Sequence, residues 1–132
     1  MFESFEDVPL ITVLFSALTA LYMFMFQNVL YYEILPEPSF KNLIMAYFMW
    51  FIMAFSLKMF IIDTDEFDII DVLTRGPLLG FVIYLAINIT LYSVMPDVWT
   101  ASLMSADILW GMALFSIVTF IIYTFKEFGW MS

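Results

Sequence analysis

The sequence predicts an all-α integral membrane protein, a four-helix bundle whose helices run antiparallel and are joined by short loops. Apolar residues make up 64% of the 132-residue chain and charged residues only 13%, whereas soluble domains carry about 25% charge. Four stretches of about 20 residues are nearly free of charge, and a helix of that length crosses a hydrocarbon core of roughly 30 Å. None alternates polar and apolar residues as a barrel strand does, so only helices can satisfy the backbone in lipid.

The four stretches are predicted to be the transmembrane helices of a single domain over residues 1–132. They cover about residues 9–31, 43–62, 76–94 and 101–123. Because they use most of the chain, they leave no room for a soluble catalytic or nucleic-acid-binding domain. The segment before the first span is acidic and has no small-residue cleavage site, so we expect this span to be retained rather than removed as a signal peptide.

The amino-acid composition also excludes several kinds of catalytic and metal-binding site. The chain has no cysteine and no histidine, which excludes disulfides, thiolate nucleophiles, imidazole bases and Cys/His metal sites. We therefore predict no catalytic residue, no metal and no cofactor, and favour a non-catalytic protein over an enzyme. The net charge of −9 argues against nucleic acid and anionic lipid as partners.

The first two spans have recognisable ends. Asp7 and Pro9 suit the first turn of a helix, because a carboxylate there meets unpaired amides and proline needs no donor. The Pro36-Glu37-Pro38 turn separates the first span from the second. Near the end of the second span, Lys58 is expected to extend its ammonium to the nearby interface, the alternative being an intramembrane cation.

The connection between the second and third spans is strongly acidic. Its acids are Asp63, Asp65, Glu66, Asp68 and Asp71. The apolar residues Phe67, Ile70 and Leu73 predict a short interfacial helix over residues 63–74, capped by Thr64 or Asp65. A calcium loop is the alternative, but Phe67 stands where an oxygen ligand belongs and the required glycine is missing. A solvated acidic face, able to receive a cationic partner, is favoured.

Glycines mark the predicted packing faces of the last two spans. The third span is predicted to begin at Arg75-Gly76-Pro77, with proline in its first turn. One face carries residues four apart, namely Gly76, Gly80, Tyr84 and Asn88. Small residues at this spacing let another helix approach closely, so Gly76 and Gly80, with Gly111 in the fourth span, are predicted helix-packing positions. Thr100 or Ser102 is the predicted cap of the fourth span.

Asp107 lies inside the fourth span, where a carboxylate is costly and needs a reason. With a rise of about 1.5 Å per residue, Asn88 and Tyr22 lie roughly 18–20 Å from one edge, and Asp107 roughly 8–10 Å from the other edge of a ~30 Å core. Measured from the same edge of the core, these depths place the three residues in one layer. We predict an intramembrane polar layer of Asp107, Asn88, Tyr84, Tyr22 and Trp110. Asp107 is interpreted either as a titratable functional group or, as we favour, as a hydrogen-bond acceptor that locks helices together.

Charges at the span ends predict the orientation. The two termini and the connection between the second and third spans share a side, which holds Arg75, Lys126 and Lys58, while Lys41 lies opposite. The positive-inside rule then places both termini on the cytoplasmic side of a multi-pass protein. The sequence does not identify which membrane holds it.

These residues resemble the four-helix membrane proteins of domain of unknown function 2177, best from Gly76 to Gly111. The residues at the family's spacing are Gly76, Gly80, Tyr84, Thr90, Trp99, Asp107 and Trp110-Gly111. Weaker matches are Leu18, Ala20, Leu21 and Tyr31 in the first span and Asn42-Leu43 in the second. Thr19 and Asn88 stand where the resemblance implies acids. The resemblance implies the fold and carries no activity.

Three functions are open to such a chain. The favoured one is a structural or accessory subunit that packs against other membrane proteins, or against copies of itself, through faces rich in its 11 Met and 16 Phe. The alternative is a small transporter or channel with Asp107 as its titratable element, although polar residues concentrate at one depth. A lipid-modifying enzyme comes third, because the spans lack His, Cys and an Asp-rich motif.

Overall fold

Four helices account for almost all of the described chain. The computed structural model describes residues 7–30, 40–62 and 67–130, and the side chains of these residues except 26–30 and 40–43. Helix α1 is Asp7–Leu30, α2 is Phe40–Leu57, α3 is Ile69–Val94 and α4 is Ala101–Glu127. Each helix is long and apolar enough to span a membrane, and the described residues contain no strand. The prediction of four such helices is confirmed, whereas the predicted Pro36-Glu37-Pro38 turn lies outside the described residues.

Helix α3 begins earlier than predicted. Asp68 is its N-cap and accepts hydrogen bonds from the amides of Ile70 at 3.0 Å and Asp71 at 3.2 Å, while the Asp71 carboxylate accepts from the Asp68 amide at 3.1 Å. This capping box satisfies amides that a helix start leaves unpaired. The helix then continues through Pro77. The separate interfacial helix predicted over residues 63–74 is therefore wrong for residues 69–74, and its predicted cap at Thr64 or Asp65 lies outside the described residues.

Helix α2 continues directly into a π-helical turn, Lys58–Ile62. Among the described side chains of α2 and this turn, the buried ones come in pairs that recur every four residues: Met53 and Ala54, Leu57 and Lys58, Ile61 and Ile62. A regular α-helix turns every 3.6 residues, so a strict four-residue repeat would drift around its surface. The i→i+5 bonding of a π turn offsets this drift, which keeps the last pair on the buried face.

The end of α2 is tied to the start of α1 by a buried ion pair. Lys58 Nζ lies 3.3 Å from Asp7 Oδ2, and Lys58 is only 4% exposed. The expectation that Lys58 extends to the interface is therefore wrong. The physical reason is that Asp7 supplies the opposite charge and hydrogen-bond acceptor that a buried ammonium requires.

The hydrophobic core lies between α1, α2 and α4, and α3 packs along α4. Fully buried residues in the core include Ile11, Phe15, Leu57, Leu114, Phe115 and Ile122. The rings of Phe15 and Phe115 join α1 to α4 with centroids 4.8 Å apart.

Glycines set the spacing of α3 and α4. A Cβ built on Gly80 would overlap the carbonyl oxygen of Gly111 and lie 3.0 Å from the Cβ of Phe115. A Cβ on Gly111 would overlap the ring of Tyr84. At Gly76 the nearest atom would be Thr119 Oγ1, at 3.1 Å. The two helices can therefore keep their separation only if Gly80 and Gly111 carry no side chain.

Candidate functional site

A hydrogen-bonded group of three side chains joins the second half of α3 to the start of α4. We call Asn88, Trp99 and Asp107 the polar cluster. Asn88 is fully buried, and its side-chain amide donates to Asp107 Oδ2 at 2.8 Å and to the Tyr84 carbonyl at 2.7 Å. Its Oδ1 accepts from Trp99 Nε1 at 2.8 Å. Both hydrogens and the oxygen of this amide are thus in use, as a buried amide requires.

The turn between α3 and α4 positions this cluster. The amide of Trp99 donates to the Met95 carbonyl at 2.8 Å, which turns the chain back toward the end of α3. Thr100 then caps α4 by accepting from the amide of Leu103 at 3.3 Å. Asp107 follows on the second turn of α4. A short connection of this kind holds the two helix ends together, so Asn88 and Asp107 meet.

Aromatic side chains extend the polar cluster toward α1. Tyr22 of α1 stacks on Trp110 of α4, with ring centroids 4.1 Å apart and planes 5° from parallel. Tyr84 of α3 lies close enough to Asp107 and Tyr22 for the three side chains to interact electrostatically. Tyr22 and Tyr84 are both buried. Three of the four helices therefore contribute to one region.

The structure brings the residues of the predicted polar layer into this region in different ways. Asn88 and Asp107 are bonded directly, and Tyr22 and Trp110 contact each other through their rings. Tyr84 packs against Gly111, one of the predicted packing positions. That this layer is a functional site stays a prediction.

Two side-chain contacts in the structure were not predicted from the sequence. The first is the bond from Trp99 to Asn88, and the signal for it was the short connection between the last two spans, which returns a large side chain toward the helix ends. The second is the pair of Asp7 and Lys58. Its signal was the alternating direction of predicted spans, which sets the start of the first beside the end of the second.

The polar cluster limits the chemistry that this region can perform. An amide donating to a carboxylate holds two helices together in apolar surroundings, and a carboxylate can exchange a proton. Within the part of the chain that the structure describes, no three acidic side chains are grouped to hold a metal ion. The arrangement therefore offers helix locking and proton exchange.

Comparison of the chain with protein-family models, with curated proteins and with solved structures finds no match. The class of protein is therefore defined by the fold, as a bundle of four helices able to span a membrane. The resemblance to domain of unknown function 2177 stays a prediction.

Proposed function

We propose that the four helices cross a bilayer as an antiparallel bundle, with both termini on the cytoplasmic side. The length and apolar character of each helix support this. So does the order of contacts between α3 and α4: Gly76, early in α3, meets Thr119, late in α4, while Asn88, late in α3, bonds Asp107, early in α4. The orientation rests on the positive charges at the predicted cytoplasmic ends.

Within that membrane we propose a non-catalytic structural or accessory subunit that packs against other membrane proteins or a second copy of itself. The observation that carries this proposal is the α2 outer face, which we define as Ile44, Met45, Tyr47, Phe48, Phe51 and Ile52. These side chains are 43% to 61% exposed, and α2 packs mainly against α1. Methionine and aromatic side chains give adaptable contact area of the kind that suits helix association.

The polar cluster supports a structural role for its carboxylate. Asp107 accepts a hydrogen bond from Asn88, which is itself anchored to Trp99 and to the Tyr84 carbonyl. The ionisable group is thus used to fix α3 against α4. A cationic partner at the acidic residues 63–71 is a further proposal, although Asp68 and Asp71 are already engaged in capping α3.

Site-specific photo-crosslinking in native membranes tests the proposed subunit role. The variant carries p-benzoylphenylalanine in place of Phe48, which is 61% exposed, and the matched control carries it in place of Leu78 on α3, which is 60% exposed. We expect a protein adduct of discrete mass from position 48 and lipid adducts alone from position 78. Lipid adducts alone from both positions would contradict the proposed α2 interface.

A small transporter that uses Asp107 is the second candidate. It is favoured by one observation, that Asp107 is only partly buried, so the protein does not fully enclose its carboxylate. In reconstituted vesicles a transporter would give a pH-dependent flux that Asp107→Asn abolishes while the fold is kept. Equal flux in parent and variant would reject this candidate.

A further inference from the structure

Two polar side-chain atoms on α1 and α4 have no hydrogen-bond partner within the part of the protein that the structure describes. They are Thr19 Oγ1 and Trp110 Nε1, and both are shielded from the surface. Buried donors and acceptors are almost always satisfied, either by protein or by an ordered water molecule. Each of these two atoms is therefore expected to bond a molecule other than the described protein groups.

Thr19 departs from the pattern of most Ser and Thr hydroxyls in the described helices. Thr12, Thr90 and Ser116 each donate to the carbonyl four residues earlier, at 2.8, 2.9 and 2.7 Å. This is the usual way for a helix to satisfy a hydroxyl in apolar surroundings. The Thr19 hydroxyl does not make this bond, so it can both donate to and accept from a further molecule.

Thr19 lies on the face of α1 that contacts α4. Phe15 is four residues before it and Tyr22 three residues after it, and side chains at these spacings share a helix face. Phe15 contacts the ring of Phe115, and Tyr22 stacks on Trp110. The stack fixes the plane of the indole, and the N–H of an indole lies in that plane at the ring edge. The two unpaired atoms thus belong to one helix contact.

We propose that Thr19 and Trp110 bind a single internal water molecule between α1 and α4. The water accepts from the indole N–H and exchanges a hydrogen bond with the Thr19 hydroxyl, which gives it the two polar partners that a buried water needs. A lipid headgroup is a poor occupant, because Thr19 lies about 18 Å along α1 from Asp7 at a rise of about 1.5 Å per residue. This inference is independent of the proposed subunit role.

The water would extend the polar cluster to α1. Trp110 is three residues after Asp107, so the two share a face of α4. The polar cluster ties α4 to α3, and the water ties α4 to α1. One layer of hydrogen bonds then connects three helices.

Indole N–H resonances of the 132-residue chain labelled with ¹⁵N-tryptophan test the proposal. The chain has 4 Trp, and Trp110→Phe assigns the resonance in question. We expect a cross-peak between the Trp110 indole proton and water. The Trp99 indole serves as an internal control without such a cross-peak, because it is buried and bonds Asn88 directly at 2.8 Å.

Variants of Thr19 test whether its hydroxyl holds the water beside Trp110. Thr19→Val is expected to remove the water cross-peak and move the Trp110 indole proton upfield, and Thr19→Ser to restore both. Thr12→Val is the matched control, since Thr12 bonds the Val8 carbonyl at 2.8 Å. A parent without a water cross-peak at Trp110, or a cross-peak that survives Thr19→Val, would overturn the proposal.

Discussion

The close approach of α3 and α4 predicts that one added methyl group at Gly80 destabilises the bundle. In Gly80→Ala the new Cβ would overlap the Gly111 carbonyl oxygen and lie 3.0 Å from both the Gly111 carbonyl carbon and the Phe115 Cβ. Two of these three atoms belong to the Gly111 backbone. The third, the Phe115 Cβ, cannot rotate out of the way as the end of a side chain can. The helices must therefore separate, which disturbs their packing along the whole contact.

The expected loss of stability in Gly80→Ala is the difference between two opposing effects. Overpacking a tight contact costs about 1–3 kcal/mol, and a backbone obstacle places Gly80→Ala near the upper end of that range. Alanine regains about 1 kcal/mol of helix propensity over glycine. We expect the free energy of unfolding to fall by about 2 kcal/mol.

Gly76→Ala is the matched control on the same helix face, one turn earlier. Its nearest obstacle is Thr119 Oγ1 at 3.1 Å, a side-chain atom that can shift by a few tenths of an ångström. The gain in helix propensity then offsets the energetic cost of this contact. We therefore expect the free energy of unfolding to stay within about 0.5 kcal/mol of the parent. Unfolding in mixed micelles with rising dodecyl sulfate, followed by tryptophan fluorescence, measures both variants. Equal stability of Gly80→Ala and Gly76→Ala would refute the reasoning.

Three further predictions concern polar contacts, and the same unfolding assay measures them. Asp107→Asn keeps an acceptor for the Asn88 amide and should preserve the free energy of unfolding. Asp107→Leu leaves that donor unpaired and should lower it by about 1–3 kcal/mol. Equal stability of the two variants would show that the bond does not stabilise the fold. Lys58→Met leaves the buried Asp7 carboxylate without its partner and should lower the free energy of unfolding by about 3–5 kcal/mol. Adding Asp7→Asn should recover most of this loss. No recovery in the double variant would contradict the pairing. Trp99→Phe removes the donor to Asn88 and should lower the free energy of unfolding by about 1–3 kcal/mol. An unchanged unfolding midpoint would show that the turn does not depend on this bond.

The sequence by itself determined the four helices, each long and apolar enough to span a membrane. Hydrocarbon thickness sets the length of a spanning helix, so counting apolar residues was enough to find all four, although α3 begins at Ile69 and not at the predicted Gly76. Counting the rise along each helix predicted one depth for Asn88 and Asp107, and the structure joins their side chains by a hydrogen bond of 2.8 Å. Both inferences depend only on distance along a helix axis, which the sequence contains.

The tertiary structure alone decided the contacts that depend on rotation about those axes and on which helices are neighbours. The depth of Lys58 was predicted from the sequence, but its burial against Asp7 rather than extension to the interface depends on how α1 and α2 face each other. The start of α3 was likewise decided by the capping box of Asp68 and Asp71, which competed with proline as a start signal. Side-chain contacts between distant residues and competition between local signals are settled by packing, because only the folded chain fixes which partners are within reach.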